Sequence, residues 1–154
     1  MKHRFLSALI LLATPVAALA QDGNALILAK DTLDRGAALF DTRDAAAMAA
    51  TYVEDAEIIL IKRDSDTNRI TVETRSGRAA IEKGYADVFK NRLPEHRSRN
   101  TVEAARFLGR DLLLVKGRFA LNRDQGDSVE FVQIRAREGD QWKVVTMQLM
   151  ELPK

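Results

Sequence analysis

The sequence predicts an α+β domain, and three observations predict it. Helical spacing of apolar residues is confined to the first part of the chain, ending before Pro94. A β-branched hairpin interrupts the helices, and everything after Pro94 alternates in the manner of long strands joined by tight turns. Helices segregated from antiparallel strands form two packed layers around one core.

The first helix is expected over residues 24–41, "NALILAKDTLDRGAALFD", with Asn24 as N-cap and Leu26, Leu33, Ala37 and Phe40 on one stripe. Asp44 caps a second, alanine-rich helix that runs from Ala45 to Tyr52 and turns Met48 inward. "AEIILIK", residues 56–62, and "ITVET", residues 70–74, flank the polar turn "RDSDTNR" and read as a hairpin. Ser76 and Gly77 then offer a cap to a third helix carrying Ile81, Tyr85, Val88 and Phe89 at helical spacing, with Pro94 just past its end.

Four strands follow, near residues 96–108, 112–122, 129–137 and 141–151, at joints "GRD", "RDQGD" and "EGD". In the second of these, Leu113, Val115, Phe119 and Leu121 share one face, and Lys116, Arg118 and Asn122 the other. Strict alternation in the last strand puts Trp142, Val144 and Met150 on one face and Val145, Met147 and Leu149 on the other. One layer of helices covers one side of a sheet, so the surplus apolar face predicts a second copy, a homodimer through the sheet.

Ahead of the domain stands "MKHRFLSALILLATPVAALA". Lys2, His3 and Arg4 precede an apolar run too short for a span of about 20 residues, and Ala18-Leu19-Ala20 forms a small-residue cleavage site. Residues 1–20 therefore read as a secretory signal peptide and residues 21–154 as a single domain, periplasmic or secreted, with no stable membrane span after cleavage. Lys2 and Arg4 account for the whole excess of 24 basic over 22 acidic residues, so the remaining chain is formally neutral. A nucleic-acid partner is not expected of a neutral domain, because counterion release needs many unopposed cations. The absence of cysteine excludes disulfides, a lipidated N-terminal cysteine and thiolate chemistry.

His96 is the single histidine after the cleavage site, which excludes multi-histidine metal sites. No serine elbow, phosphate-cradling loop or dinucleotide fingerprint occurs, and neither a cofactor nor a metal is expected. Asp64 and Asp66 read as solvated turn residues. Glu103 and Glu130 are the carboxylates placed on strands where they could serve as a general base, or as halves of cross-strand pairs with Arg106, Arg118 or Arg135. Gln133, Thr146 and Gln148 interrupt apolar strands and call for an internal polar network or a ligand's polar groups.

The element order, with "AATYVEDAEI", "RSGRAAIEKGYADVF" and "WKVVTMQLM", resembles the nuclear transport factor 2-like (NTF2-like) superfamily, and more narrowly its small SnoaL-like and ketosteroid-isomerase-like members. The resemblance implies a cystatin-like cone in which a curved, mostly antiparallel sheet wraps three N-terminal helices around a pocket. It also implies a first-strand base near Leu60, a first-helix tyrosine near Gly36 and an opposing acid near Val132 or Gln133. None of these residues can serve, so that isomerase mechanism is not expected. Tyr52, Tyr85, Phe119, Gln133, Trp142, Thr146 and Gln148 are the expected pocket. The leading expectation is an exported domain that holds a small apolar molecule without catalysis. The alternatives are a cofactor-independent isomerase, cyclase or dehydratase using Glu103 or Glu130 with Tyr85, and a module serving only protein association.

Overall fold

The computed structural model describes the backbone of residues 16–93, 95–121 and 128–151, with side chains from residue 23 onward. Most of the export segment, Pro94, Asn122 and the "RDQGD" turn lie outside the described residues. Helix α1 runs Val16–Asp41, α2 Ala45–Ala50 and α3 Arg78–Lys90; strands are β1 Tyr52–Arg63, β2 Ile70–Ser76, β3 Ser98–Gly109, β4 Leu112–Leu121, β5 Ser128–Glu138 and β6 Gln141–Glu151. The sheet order is β2-β1-β6-β5-β4-β3, antiparallel throughout except for the parallel pair β1 and β6. This is the expected α+β arrangement, a curved sheet with the helices on one side.

In α1 the buried stripe is Ala25, Ala29, Leu33, Ala37 and Phe40, whereas Leu26 is 42% exposed. The alanines explain the difference: with nothing beyond Cβ they let α1 settle onto Ala105, Leu113, Val115 and Phe131. Asn24 lies inside the helix and does not cap it. Asp44 does cap α2, its Oδ1 accepting from Ala47 N at 2.9 Å. Tyr52 belongs to β1, where it pairs with Val144, so α2 ends two residues earlier than expected.

Gly77 opens α3 with φ of 83°, a conformation that suits glycine, while Ser76 ends β2 and donates its hydroxyl to Glu57 instead of capping. The buried face of α3 is Ile81, Gly84 and Phe89, with Tyr85 half-buried; Val88 is 41% exposed and is replaced in the interface by Gly84, over which Arg75 lies. Beneath the helices, Phe131 packs across Gly117, where a Cβ would stand 2.8 Å from its ring and 2.3 Å from the Thr101 carbonyl.

The last strand departs from strict alternation. Arg135 pairs with Val144 and Ile134 with Thr146, so Val145 is an inserted residue, a β-bulge that inverts the faces beyond it. Val144 and Met147 are both buried on the helix side, and Leu149 packs there as well. Thr146, Gln148 and Met150 fall on the outer side, in register with Glu57, Ile59 and Ile61 of β1. That outer face is still apolar at its centre, where Ile59, Ile61, Val132, Ile134, Leu114 and Met150 are each half-buried. No helix among the described residues is long and apolar enough to cross a membrane.

Candidate functional site

A cavity of about 480 Å³ lies between α1 and the β5–β6 hairpin. Leu28, Thr32, Arg35, Gly36 and Leu39 line it from α1, on the helical face next to the stripe that packs on the sheet. Ala50 and Thr51 close one end, and Arg135 with Asp140, Gln141, Trp142 and Lys143 forms the sheet wall. A Cβ on Gly36 would meet no atom within 4 Å, so glycine leaves free space at the cavity wall.

Arg135 sits on the helix-facing side of β5 and is 6% exposed. Its Nε donates to Gln133 Oε1 at 3.0 Å and its Nη1 to the Trp142 carbonyl at 3.0 Å. Among the described residues no carboxylate lies within ion-pair distance of it, and Nη2 has no hydrogen-bond partner. Burial draws its pKa down from the ordinary value; Tyr52 and Tyr85 oppose that shift and Arg35 adds to it. An arginine nevertheless stays charged, so the cavity wall carries an uncompensated cation.

A polar chain continues inward from Arg135. Gln133 Nε2 donates to Met147 Sδ at 3.2 Å, the Tyr52 hydroxyl reaches the same sulfur at 3.7 Å, and the Tyr52 and Tyr85 hydroxyls share a hydrogen bond of 2.6 Å. Desolvation raises the pKa of both phenols, that of Tyr52 strongly and with a further contribution from Tyr85. Both are therefore neutral donors and acceptors at physiological pH.

The fold contains a second buried arginine that is satisfied very differently. Arg92 donates to Asp41 Oδ1, to the Phe40 carbonyl at 2.8 Å and to the His96 carbonyl at 2.7 Å, and its guanidinium lies 4.7 Å from the Phe40 ring centre. Burial opposes ionisation of Asp41, but bonds from Arg92 and Ser98 overcome it and hold the carboxyl below the ordinary aspartate range. Arg92 thus fastens α1, the end of α3 and β3 together. Half-buried His96 serves this joint through its carbonyl.

Of the expected pocket residues, Tyr52, Tyr85 and Gln133 meet in the polar chain, and Trp142 lines the cavity. Phe119 packs edge-on against Phe40, 5.2 Å between centres, in an aromatic cluster with Tyr85 and Phe89 outside the cavity lining. Thr146 and exposed Gln148 correct the expectation, since the Val145 bulge turns both to the outer face.

The two candidate bases are corrected as well. Glu103 accepts from Arg118 at 2.6 Å and lies 3.4 Å from Lys116 on the outer face; desolvation opposes its ionisation, but these cations hold its pKa below the ordinary value. Glu130 is exposed, opposite Arg118 in the register. Leu60 is buried in the core, and Val132 lies on the outer face, so neither brings acid-base chemistry to the cavity. Asp64 Oδ1 accepts from Asp66 N, Thr67 N and Thr67 Oγ1, which commits it to the β1–β2 turn. Among the described residues no cluster of three potential metal ligands occurs.

Sequence reasoning missed Arg135 as a site residue and the α1 face from Leu28 to Leu39. A signal was present: Phe131, Gln133 and Arg135 share parity in β5, and one apolar anchor places the two polar residues beside it on the core side.

No family model matches the sequence, and comparison with curated proteins finds no match. Solved structures do match. An NTF2-like protein of unknown function from Shewanella oneidensis MR-1 is 15% identical with a TM-score of 0.61, over 90% of this chain and 100% of that one. A domain of unknown function with a cystatin-like fold from Nostoc punctiforme is 12% identical with a TM-score of 0.61, over 83% and 77%. An NTF2-like protein of unknown function from Pseudomonas putida KT2440 is 15% identical with a TM-score of 0.59, over 84% and 88%. The chain has the NTF2-like, cystatin-like fold. A shared fold leaves activity to be argued from the site.

Proposed function

We propose that this protein is an exported, dimeric binding protein that holds a small molecule in the cavity between α1 and the β5–β6 hairpin and does not transform it. The observation that carries the reading is the lining: Leu28, Leu39 and Trp142 offer apolar surface, and Arg135 is a buried polar group on one wall. Thr32, Thr51 and Gln141 add further polar groups, and a recess that combines apolar surface with fixed polar groups suits a small ligand. Catalysis as an isomerase, cyclase or dehydratase would need a base held against the ligand; Glu103 and Glu130 are on the far side of the sheet, and Asp140, the carboxylate of the lining, is exposed at the β5–β6 turn.

Export rests on the basic start, apolar run and Ala18-Leu19-Ala20 site of the N-terminal segment. Among the described residues, all that line the cavity follow Ala20, so cleavage there removes none of them. The dimer rests on the outer sheet face, whose apolar centre is rimmed by Glu57, Glu103, Arg106, Lys116 and Arg118 and would be covered by a second copy.

Native mass spectrometry of the mature protein recovered from the cell envelope, set against its denatured mass, tests the reading. A releasable small-molecule mass is expected, and Gly36→Leu, which adds a side chain at the open cavity wall of a helix that tolerates leucine, is expected to lose it. A bound mass that survives Gly36→Leu would place the ligand elsewhere and refute the cavity reading.

A further inference from the structure

Resting on that reading, we propose that the ligand is an organic monocarboxylate with an apolar body, its carboxylate received by the guanidinium of Arg135. Arg92 and Arg135 are both buried, yet they differ in counter-charge: Arg92 has a carboxylate, two carbonyls and an aromatic face, with only its Nε left unbonded, and Arg135 has an amide oxygen and one carbonyl but no carboxylate. An isolated charge taken out of water is costly without an opposite charge. In Arg135 that charge stands on the wall of a cavity, where a ligand can supply the missing partner. A carboxylate matches a planar guanidinium with two parallel acceptors.

The other charges near the cavity favour one negative group over two. Arg35 is paired with Asp31, and Lys143 with Glu138 at 2.9 Å, so neither cation is uncommitted. Asp140 lines the same cavity and opposes ligand anions there, which weighs more heavily against two negative groups than against one. Leu28, Leu39 and Trp142 are the large apolar side chains of the lining and receive the apolar body, with Thr32, Thr51 and Gln141 as uncharged polar neighbours. A ligand without an anionic group would leave Arg135 with its two neutral acceptors, Gln133 Oε1 and the Trp142 carbonyl, and no counter-charge.

Octanoate and its neutral analogue octanamide separate the two chemistries, and the single tryptophan of the chain, Trp142, reports binding by its fluorescence. Octanoate is expected to bind the wild-type protein at least about tenfold more tightly than octanamide, the scale of a charge-assisted bond. In Arg135→Gln that preference should fall to about twofold or less. Equal binding of both compounds to the wild type would overturn the carboxylate while leaving a cavity that binds neutral molecules. A preference for octanoate that survives Arg135→Gln would overturn the role of Arg135. Failure of octanoate to change Trp142 fluorescence in a saturable way would overturn the inference, and mass spectrometry of the native protein would then judge the cavity reading separately. The wild-type comparison decides the ligand class even where Arg135→Gln does not fold.

Discussion

Asp41→Asn removes one negative charge from the joint between α1, the end of α3 and β3 while keeping an oxygen acceptor in place. The Arg92 side chain is 2% exposed and the Asp41 side chain 22%, so the pair is largely, though not fully, withdrawn from water. Breaking a fully buried pair costs about 3–5 kcal/mol. Here Arg92 keeps two carbonyl partners and the Phe40 ring, and asparagine still accepts from Ser98, which brings the expected loss to about 2 kcal/mol. With a urea m-value of about 1.5 kcal/mol/M, the unfolding midpoint at pH 7 should drop by about 1–2 M.

The pH dependence gives an independent check on the same reasoning. The folded pKa of Asp41 lies below the ordinary value, so its contribution is present above the unfolded pKa, about 3.9, and is lost as pH falls through the folded pKa. The gap between wild type and Asp41→Asn should therefore be constant near neutrality and close in acid. Equal midpoints at pH 7, or a gap unchanged along the whole acid limb, would refute the claim that the charge of Asp41 stabilises Arg92.

Gly117→Ala places a methyl group 2.3 Å from the Thr101 carbonyl, and backbone cannot step aside cheaply; a loss of about 1–3 kcal/mol is expected in thermal unfolding, and an unchanged midpoint would contradict the packing described. Tyr85→Phe deletes the 2.6 Å bond and leaves the buried Tyr52 hydroxyl with only the Met147 sulfur, costing about 1–2 kcal/mol by urea titration. Both tyrosines of the chain have raised folded pKa values, so the stability they contribute is present below about pH 10 and lost as pH rises through the folded values; absorbance at alkaline pH should show phenolate appearing later than in the unfolded chain. Ile134→Glu puts a charge in the apolar centre of the outer face and should convert the proposed dimer to monomer in light scattering, with the helix-side core intact. A wild-type mass of one chain at micromolar concentration would remove the dimer.

The order of elements was legible because each rests on local pattern: β-branched runs at β1 and β2, Asp44 before an alanine helix, and alternation in β4 and β5. What failed was face assignment wherever the pattern depended on a partner. Leu26 outranks Ala25 by hydrophobicity, but the start of α1 lies on the sheet through the small side chains of Ala25 and Ala29, ahead of Leu33, so Leu26 is left outside. Val88 likewise gives way to Gly84, because Arg75 occupies the space beside the helix. Half of the polar chain could be read from strand parity, yet a buried arginine is uncommon enough that Arg135 reads more naturally as a surface ion-pair partner.

The Val145 bulge ties these observations into one argument about the site. Without it, the parity that puts Trp142 and Val144 toward the helices would continue to Thr146, Gln148 and Met150, and Met147 would face outward. The bulge instead keeps Trp142 and Met147 on the same side, so that Arg135 reaches the Trp142 carbonyl and Gln133 the Met147 sulfur from neighbouring positions of β5. It also sends Gln148 and Met150 to the outer face, which makes that face more continuous across β1, β6 and β5. One inserted residue therefore sets both the geometry of the buried cation and the surface available to a second copy. Deleting Val145 is expected to disturb Trp142 fluorescence and oligomeric mass together. A change in only one of them would mean that the bulge does not set both the cavity and the outer face.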